Sequence, residues 1–184
     1  MNLRLVLAGV LVAVVAVVVW HYRWPIVNSI RPRHLPTPLV AGQYLPRITA
    51  LPVGVSQAQP IGPAPGHFLL INVFATWCGP CRSETPALKR LSDDTAGSLL
   101  QIVGIDQHEN DDAVLRFSEA YGLTYPMFVC RDEMTASILG VHFIPVTIIV
   151  DPSGVVRANV IGPMTYEQMR KLVQQIVGPR AFRA

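Results

Sequence analysis

The sequence predicts an α/β fold, a central mixed β-sheet flanked by helices and preceded by a single N-terminal transmembrane helix. Three observations carry this expectation. From Phe68 onward, short apolar runs alternate with segments whose apolar residues recur at helical spacing. Near the end, Val146–Val150 and Val155–Val160 flank the turn Asp151-Pro152-Ser153-Gly154, so an antiparallel hairpin joins the sheet and its strand directions are mixed. At the beginning, every residue from Leu5 to Trp20 is apolar.

That first run covers roughly 24 Å as a helix, and the flanking residues bring it toward the ~30 Å hydrocarbon layer. Arg4 and Arg23 can snorkel, while Trp20, Tyr22 and Trp24 suit the headgroup region. A cleaved signal peptide is the alternative, but Val17, Val18, Val19, Trp20 and His21 offer no small-residue cleavage site. The first cysteine is Cys78, so no lipid-modified cysteine follows the run. Residues 1–24 therefore read as a single-pass anchor in the lipid bilayer. Arg23, Arg31 and Arg33 outnumber Arg4, and the positive-inside rule alone would put the rest of the chain in the cytoplasm.

Residues 25–39 read as a proline-rich linker and residues 40–180 as the folded domain. Nine of the 16 prolines lie between Pro25 and Gly66, a stretch with little periodicity. Gly42–Ile48 and Pro52–Ser56 are the expected edge strands there. Phe68–Phe74 is an apolar run suited to a strand buried on both faces. A helix begins around Cys78 and Cys81 and runs to about Leu91, and Leu99–Asp106 is a second buried strand. Asn110 caps a third segment, a helix with Asp111 and Asp112 in its first turn and Ala113, Val114, Phe117, Ala120 and Tyr121 on its buried face. A brief strand at Met127–Val129 and a short helix at Glu133–Leu139, stopped by Gly140, precede the hairpin. The last helix opens with the capping box Thr165-x-x-Gln168, buries Met169, Leu172, Val173 and Ile176, and stops at Gly178-Pro179.

Composition narrows the function classes. A net charge of +3 with no basic run interleaved with aromatics gives nucleic-acid binding no support. Three cysteines are too few for a disulfide scaffold. Cys78 and Cys81 follow a strand and open a helix, where unpaired N–H groups and the helix dipole favour thiolate. Two cysteines three apart can close a disulfide across the first turn, and Pro80 fits because its missing N–H would be an orphan. In this arrangement Cys78 attacks a substrate disulfide and Cys81 resolves the mixed disulfide. Half a zinc site is the alternative, but only Cys130 and scattered histidines remain as further ligands, so no metal and no cofactor are expected.

The chain from about Val40 to Val177 resembles the thioredoxin superfamily, in particular the membrane-anchored TlpA/ResA-like reductases. The resemblance rests on Asn72-Val-Phe-Ala-Thr-Trp-Cys-Gly-Pro-Cys-Arg-Ser-Glu84-Thr-Pro86, Val103-Gly-Ile-Asp106, Tyr125-Pro126, Ile144-Pro145-Val-Thr147 and Val150-Asp-Pro-Ser-Gly154. It implies a thioredoxin-like fold and an extracytoplasmic dithiol domain. It also implies clients that are disulfide-containing exported proteins, among them apocytochromes c, and electrons from a membrane thiol carrier of the CcdA/DsbD type. By the same resemblance, Pro145 follows a cis peptide against the dithiol, and the backbone of Ile144 pairs with client chains. Trp77 and Phe74 pack beside the dithiol, Trp77 also contacting substrate. A CcmG/DsbE-type cytochrome c maturation reductase is the subgroup alternative, although such proteins carry an acid where this chain has Val146.

Glu84 lies three residues beyond Cys81, on the same helix face. The resemblance makes it the proton-handling group that replaces the buried aspartate of thioredoxin, whose place Asn72 holds. Its other reading is a first-turn carboxylate favoured by the helix dipole. Cys130 reads as a buried small hydrophobe or as a resolving thiol, and His67, His108 and His142 as structural or solvated. Two other functions compete. A thiol peroxidase of the peroxiredoxin type would need Pro-x-x-x-Thr/Ser-x-x-Cys, where this chain has Ile71 and Ala75. A tethered client-binding module would leave the dithiol without turnover.

Overall fold

The structure, a computed structural model, describes residues 11–18, 37–130 and 134–182. The chain divides into two units, Met1–His34 and Leu35–Ala184. In the first, residues 11–18 are helical. The rest of the expected anchor and most of the linker lie outside the described residues. No helix among the described residues is long and apolar enough to cross a membrane.

The second unit is built on one sheet. Its strands are β1 (Ile48–Pro52), β2 (Gln59–Ile61), β3 (Phe68–Phe74), β4 (Leu100–Gln107), β5 (Met127–Cys130), β6 (Val146–Val150) and β7 (Val156–Ile161). Their spatial order is β2-β1-β5-β4-β3-β6-β7. β3, β4 and β5 run parallel, whereas β6 is antiparallel to β3, β7 to β6, and β1 to β5. The mixed sheet is the one expected. Helices α1 (Gly79–Thr95), α2 (Asp111–Tyr121), α3 (Met134–Leu139) and α4 (Tyr166–Ile176) complete the unit.

Alternation along β3 divides the core into two layers. Leu70 and Phe74 face a layer that holds both site cysteines, Leu88 and Leu91 of α1, Phe117 of α2 and Val173 of α4. Leu69, Ile71 and Val73 face the opposite layer, with Leu139 of α3, Ile148 and Cys130. Asn72 shares the side of Leu70 and Phe74, so a polar side chain points into the cysteine layer.

Local signals account for the element ends. The Asn110 side chain accepts from the Ala113 N–H at 2.9 Å, and the Thr165–Gln168 capping box is formed. Gly140 takes φ +63°, and a Cβ there would run into the Thr37 carbonyl oxygen, so the end of α3 needs glycine. In the hairpin turn Asp151 Oδ1 accepts from the Ser153 N–H, the Ser153 hydroxyl and the Val155 N–H, while Oδ2 pairs with Arg157 at 2.6 Å. Burial alone would raise this carboxyl, but those hydrogen bonds pull its pKa down to about 2.

Four expectations are corrected. The strands of this stretch are β1 and β2 rather than Gly42–Ile48 and Pro52–Ser56, and only β2 lies at an edge, because β1 pairs with β5 on one side and β2 on the other. Helix α1 continues past Leu91 to Thr95. Lys89 pairs with Asp93, and the Thr95 hydroxyl donates to the Leu91 carbonyl at 2.8 Å. Ala120 is exposed, and only Val114 and Phe117 of α2 are fully buried. Leu172 and Ile176 of α4 are half-buried, with Met169 and Val173 forming the buried stripe.

Candidate active site

The site forms where β3 ends and α1 begins. Phe74 is buried and packs 5.5 Å from the Phe117 ring. The chain then turns, the Cys78 N–H donating to the Ala75 carbonyl at 3.2 Å. Cys78 is the N-cap of α1, and its Sγ accepts from the Cys81 N–H at 3.2 Å. Pro80 lies in the first turn, where its missing N–H leaves no gap in the hydrogen bonding.

Cys78 and Cys81 are joined by a disulfide, with their Cα atoms 5.2 Å apart. The two sulfurs are not equivalent. Both are buried, Cys78 5% and Cys81 2% exposed, but only Cys78 lines an open pocket of about 430 Å³, with Trp77, Pro80, Gln107, His142, Phe143 and Ile144. The Ile144–Pro145 peptide is cis, and the Ile144 carbonyl oxygen stands 3.9 Å from Cys78 Sγ. Pro145 is buried, its carbonyl accepting from the Gly162 N–H at 2.8 Å.

Trp77 departs from the packed position expected of it. Phe74 does lie in the core with the cysteines, but Trp77 is 70% exposed at the rim of the pocket, opposite the equally exposed Phe143. Cys130 is buried in β5, in the other core layer, and takes no part in the disulfide.

Glu84 is buried in the second turn of α1, which overturns the reading of a first-turn carboxylate held by the dipole. One carboxylate oxygen accepts from the Met164 N–H at 2.9 Å and the other from Asn72 Nδ2 at 3.1 Å. Asn72 also donates to the Thr147 hydroxyl of the adjacent strand, at 3.3 Å. Burial raises the Glu84 pKa above the ordinary carboxylate value, and the Met164 and Asn72 hydrogen bonds only partly offset it. The buried carboxyl also helps to push the Tyr125 phenol up, after burial itself.

A second pair of acids had no place in the sequence reading. Asp106, fully buried at the end of β4, accepts from the Glu109 N–H at 3.0 Å. Glu109 accepts from the Thr76 N–H at 2.5 Å and from the Thr76 hydroxyl at 2.6 Å. Burial, and then the Glu109 carboxylate, push the Asp106 pKa well above the ordinary carboxylate range. Burial would raise Glu109 too, but hydrogen bonds with Asp106 and Thr76 hold it below its ordinary value, and it is the ionised partner. The available signal was a lone aspartate closing the apolar run Leu99–Asp106.

A family model described as AhpC/TSA matches residues 55–159. The chain belongs to the AhpC/TSA family. Among relatives of this AhpC/TSA chain, the thiol-disulfide oxidoreductase ResA of Bacillus thuringiensis is 30% identical over 111 residues, 60% of this chain and 64% of ResA. The thioredoxin-like protein YneN of Bacillus subtilis is 34% identical over 110 residues, 59% of this chain and 64% of YneN. The chain thus spans just under two thirds of the length of these relatives. A solved thiol:disulfide interchange protein of the thioredoxin family, from Chlorobium tepidum, superposes with a TM-score of 0.65 at 25% identity. That match covers 76% of this chain and 99% of the other. The fold of this AhpC/TSA chain is therefore thioredoxin-like.

Proposed function

We propose that the protein is a thiol–disulfide oxidoreductase that reduces disulfides in exported protein clients. The observation that carries the reading is the asymmetry of the pair. Cys78 caps α1 and lines an open pocket with Trp77, His142, Phe143 and Ile144, while the buried Cys81 does not line it. The Cys81 N–H on Cys78 Sγ and the helix N-terminus favour a Cys78 thiolate in the reduced protein. That thiolate attacks one sulfur of a client disulfide and expels the other as a thiolate. Glu84, a buried carboxylate three residues along the helix, takes the proton of Cys81. The Cys81 thiolate then attacks Cys78 Sγ, and the second client sulfur leaves. Two electrons have passed to the client, its thiolates gain protons, and the protein holds the Cys78–Cys81 disulfide. In this scheme Trp77, Ile144 and Pro145 seat the client chain beside Cys78.

The reducing direction is supported by Gly79-Pro80, the dipeptide of thioredoxin, whose potential is about −270 mV. A membrane dithiol carrier of the CcdA/DsbD type would restore the pair by the reverse exchange. Val146 is buried and apolar, which favours a general reductase over the CcmG/DsbE-type subgroup. Mixing reduced protein with a disulfide-bonded peptide should form one Cys78–Cys81 disulfide for each client disulfide lost. Client binding without any change in thiol content would instead support a tethered binding module.

The apolar run Leu5–Trp20 supports an anchor, and the family resemblance supports an extracytoplasmic domain against the arginine bias. A membrane-impermeant thiol reagent added to intact cells should label reduced Cys78. Labelling of the reduced dithiol only after lysis would place the domain in the cytoplasm.

A further inference from the structure

Thr76, two residues before Cys78, is held from both sides. Its N–H and its hydroxyl both donate to the Glu109 carboxylate, at 2.5 and 2.6 Å, while its carbonyl accepts from Arg82 Nη1 at 3.2 Å. Glu109 is itself fixed through its backbone N–H on Asp106 Oδ1, at 3.0 Å. Asp106 is wholly buried, its carboxyl against that of Glu109. A buried acid is expensive, and stability alone does not call for one here. Its place is informative. It ties the end of β4 to the one loop residue lying between the buried Ala75 and the exposed Trp77.

We propose that Glu109, seated on Asp106, is a positioning residue for the exchange reaction. It fixes Thr76, and through Thr76 sets the exposed Trp77 ring and the Cys78 sulfur in the register a client chain needs. Trp77 is 70% exposed, so the backbone that carries it does much to set its ring. The inference rests on the proposed exchange activity, but the loop geometry can be read without it.

Both readouts come from the full chain. Trp77 is the only one of the three tryptophans beyond Trp24, so Trp20→Phe with Trp24→Phe makes it a lone fluorophore. In that background Glu109→Ala should lower Trp77 anisotropy. It should also raise KM for a disulfide peptide by about 10-fold, because a client seat lost equally from ground and transition state raises KM and leaves the turnover number in place. The turnover number and the alkylation of reduced Cys78 by iodoacetamide, which needs no client seat, should hardly move. Glu109→Gln should retain most of the wild-type KM, because its amide can accept from the Thr76 N–H and donate to the hydroxyl. If the alanine variant does not fold, Thr76→Val removes one of the two contacts and should shift KM in the same direction by less. Unchanged anisotropy and KM in Glu109→Ala would overturn the proposal. So would an equal fall in client turnover, alkylation and melting temperature. A wild-type chain without turnover would instead sink the exchange reading, and the clamp would stand or fall on the anisotropy.

Discussion

Serine in place of Cys78 is expected to abolish turnover of a disulfide client, a loss on the order of 10⁴–10⁶-fold, as for other lone nucleophiles. A serine hydroxyl at the head of α1 cannot reach the thiolate's charge at neutral pH, so the helix terminus and the Cys81 N–H have nothing to stabilise. The pocket would keep its rim of Trp77, Phe143 and Ile144, and the client should still bind. Cys130 supplies the control. It is buried in β5, in the core layer that does not contain the dithiol, and Cys130→Ser should leave exchange by folded protein unchanged. Turnover surviving in Cys78→Ser but lost in Cys130→Ser would move the chemistry to the other thiol.

Glu84→Gln is expected to slow the release step by about 10²–10⁴-fold, the usual contribution of a general base, while leaving the first attack by Cys78 intact. Gln can accept from the Met164 N–H as Glu84 does. Asn72, whose amide can turn over, can then accept from the new amide and from the Thr147 hydroxyl, so the buried network stays satisfied. The substitution therefore tests the proton rather than the packing. Stability gives an independent check. Burial raises the Glu84 pKa in the fold, so the stability this group contributes is present below the unfolded value of about 4.3 and is lost as pH rises through the folded value. The glutamine variant should lack that decline and be at least as stable as the wild type at neutral pH. Stopped-flow measurement of the two exchange steps, paired with melting curves against pH, reads both effects. Unchanged release with a normal fold would reduce Glu84 to a structural group.

The fold was legible wherever a local signal matched the tertiary outcome. Phe68–Phe74 reads as a doubly buried strand and is one, because both faces of β3 are covered by core layers. Asn110 and the Thr165–Gln168 box cap the helices they predict. What was not legible depends on partners distant in sequence. β1 and β2 lie in proline-rich text and exist as strands through their pairing with each other and with β5. The apolar pattern carries α1 only to about Leu91, yet Lys89–Asp93 and Arg90–Asp94 pairs accompany its continuation to Thr95.

The same division runs through the site. Cys78, Cys81 and Glu84 share one helix, so spacing alone relates them. Ile144 and the buried Pro145, 64 positions beyond Cys81, come to the dithiol only through the β3–β6 pairing, and family resemblance rather than periodicity pointed to them. Glu109 was missed because its partner Thr76 lies 33 residues away, across two parallel strands.

Trapping separates attack by Cys78 from resolution by Cys81. Reduced Cys81→Ser protein, incubated with a disulfide-bonded peptide and quenched in acid, should accumulate a mixed disulfide that peptide mass mapping places on Cys78. The matching Cys78→Ser protein should accumulate none, because Cys81 does not line the pocket through which a client would approach. A mixed disulfide that forms on Cys81 instead, or equally on both cysteines, would contradict the account.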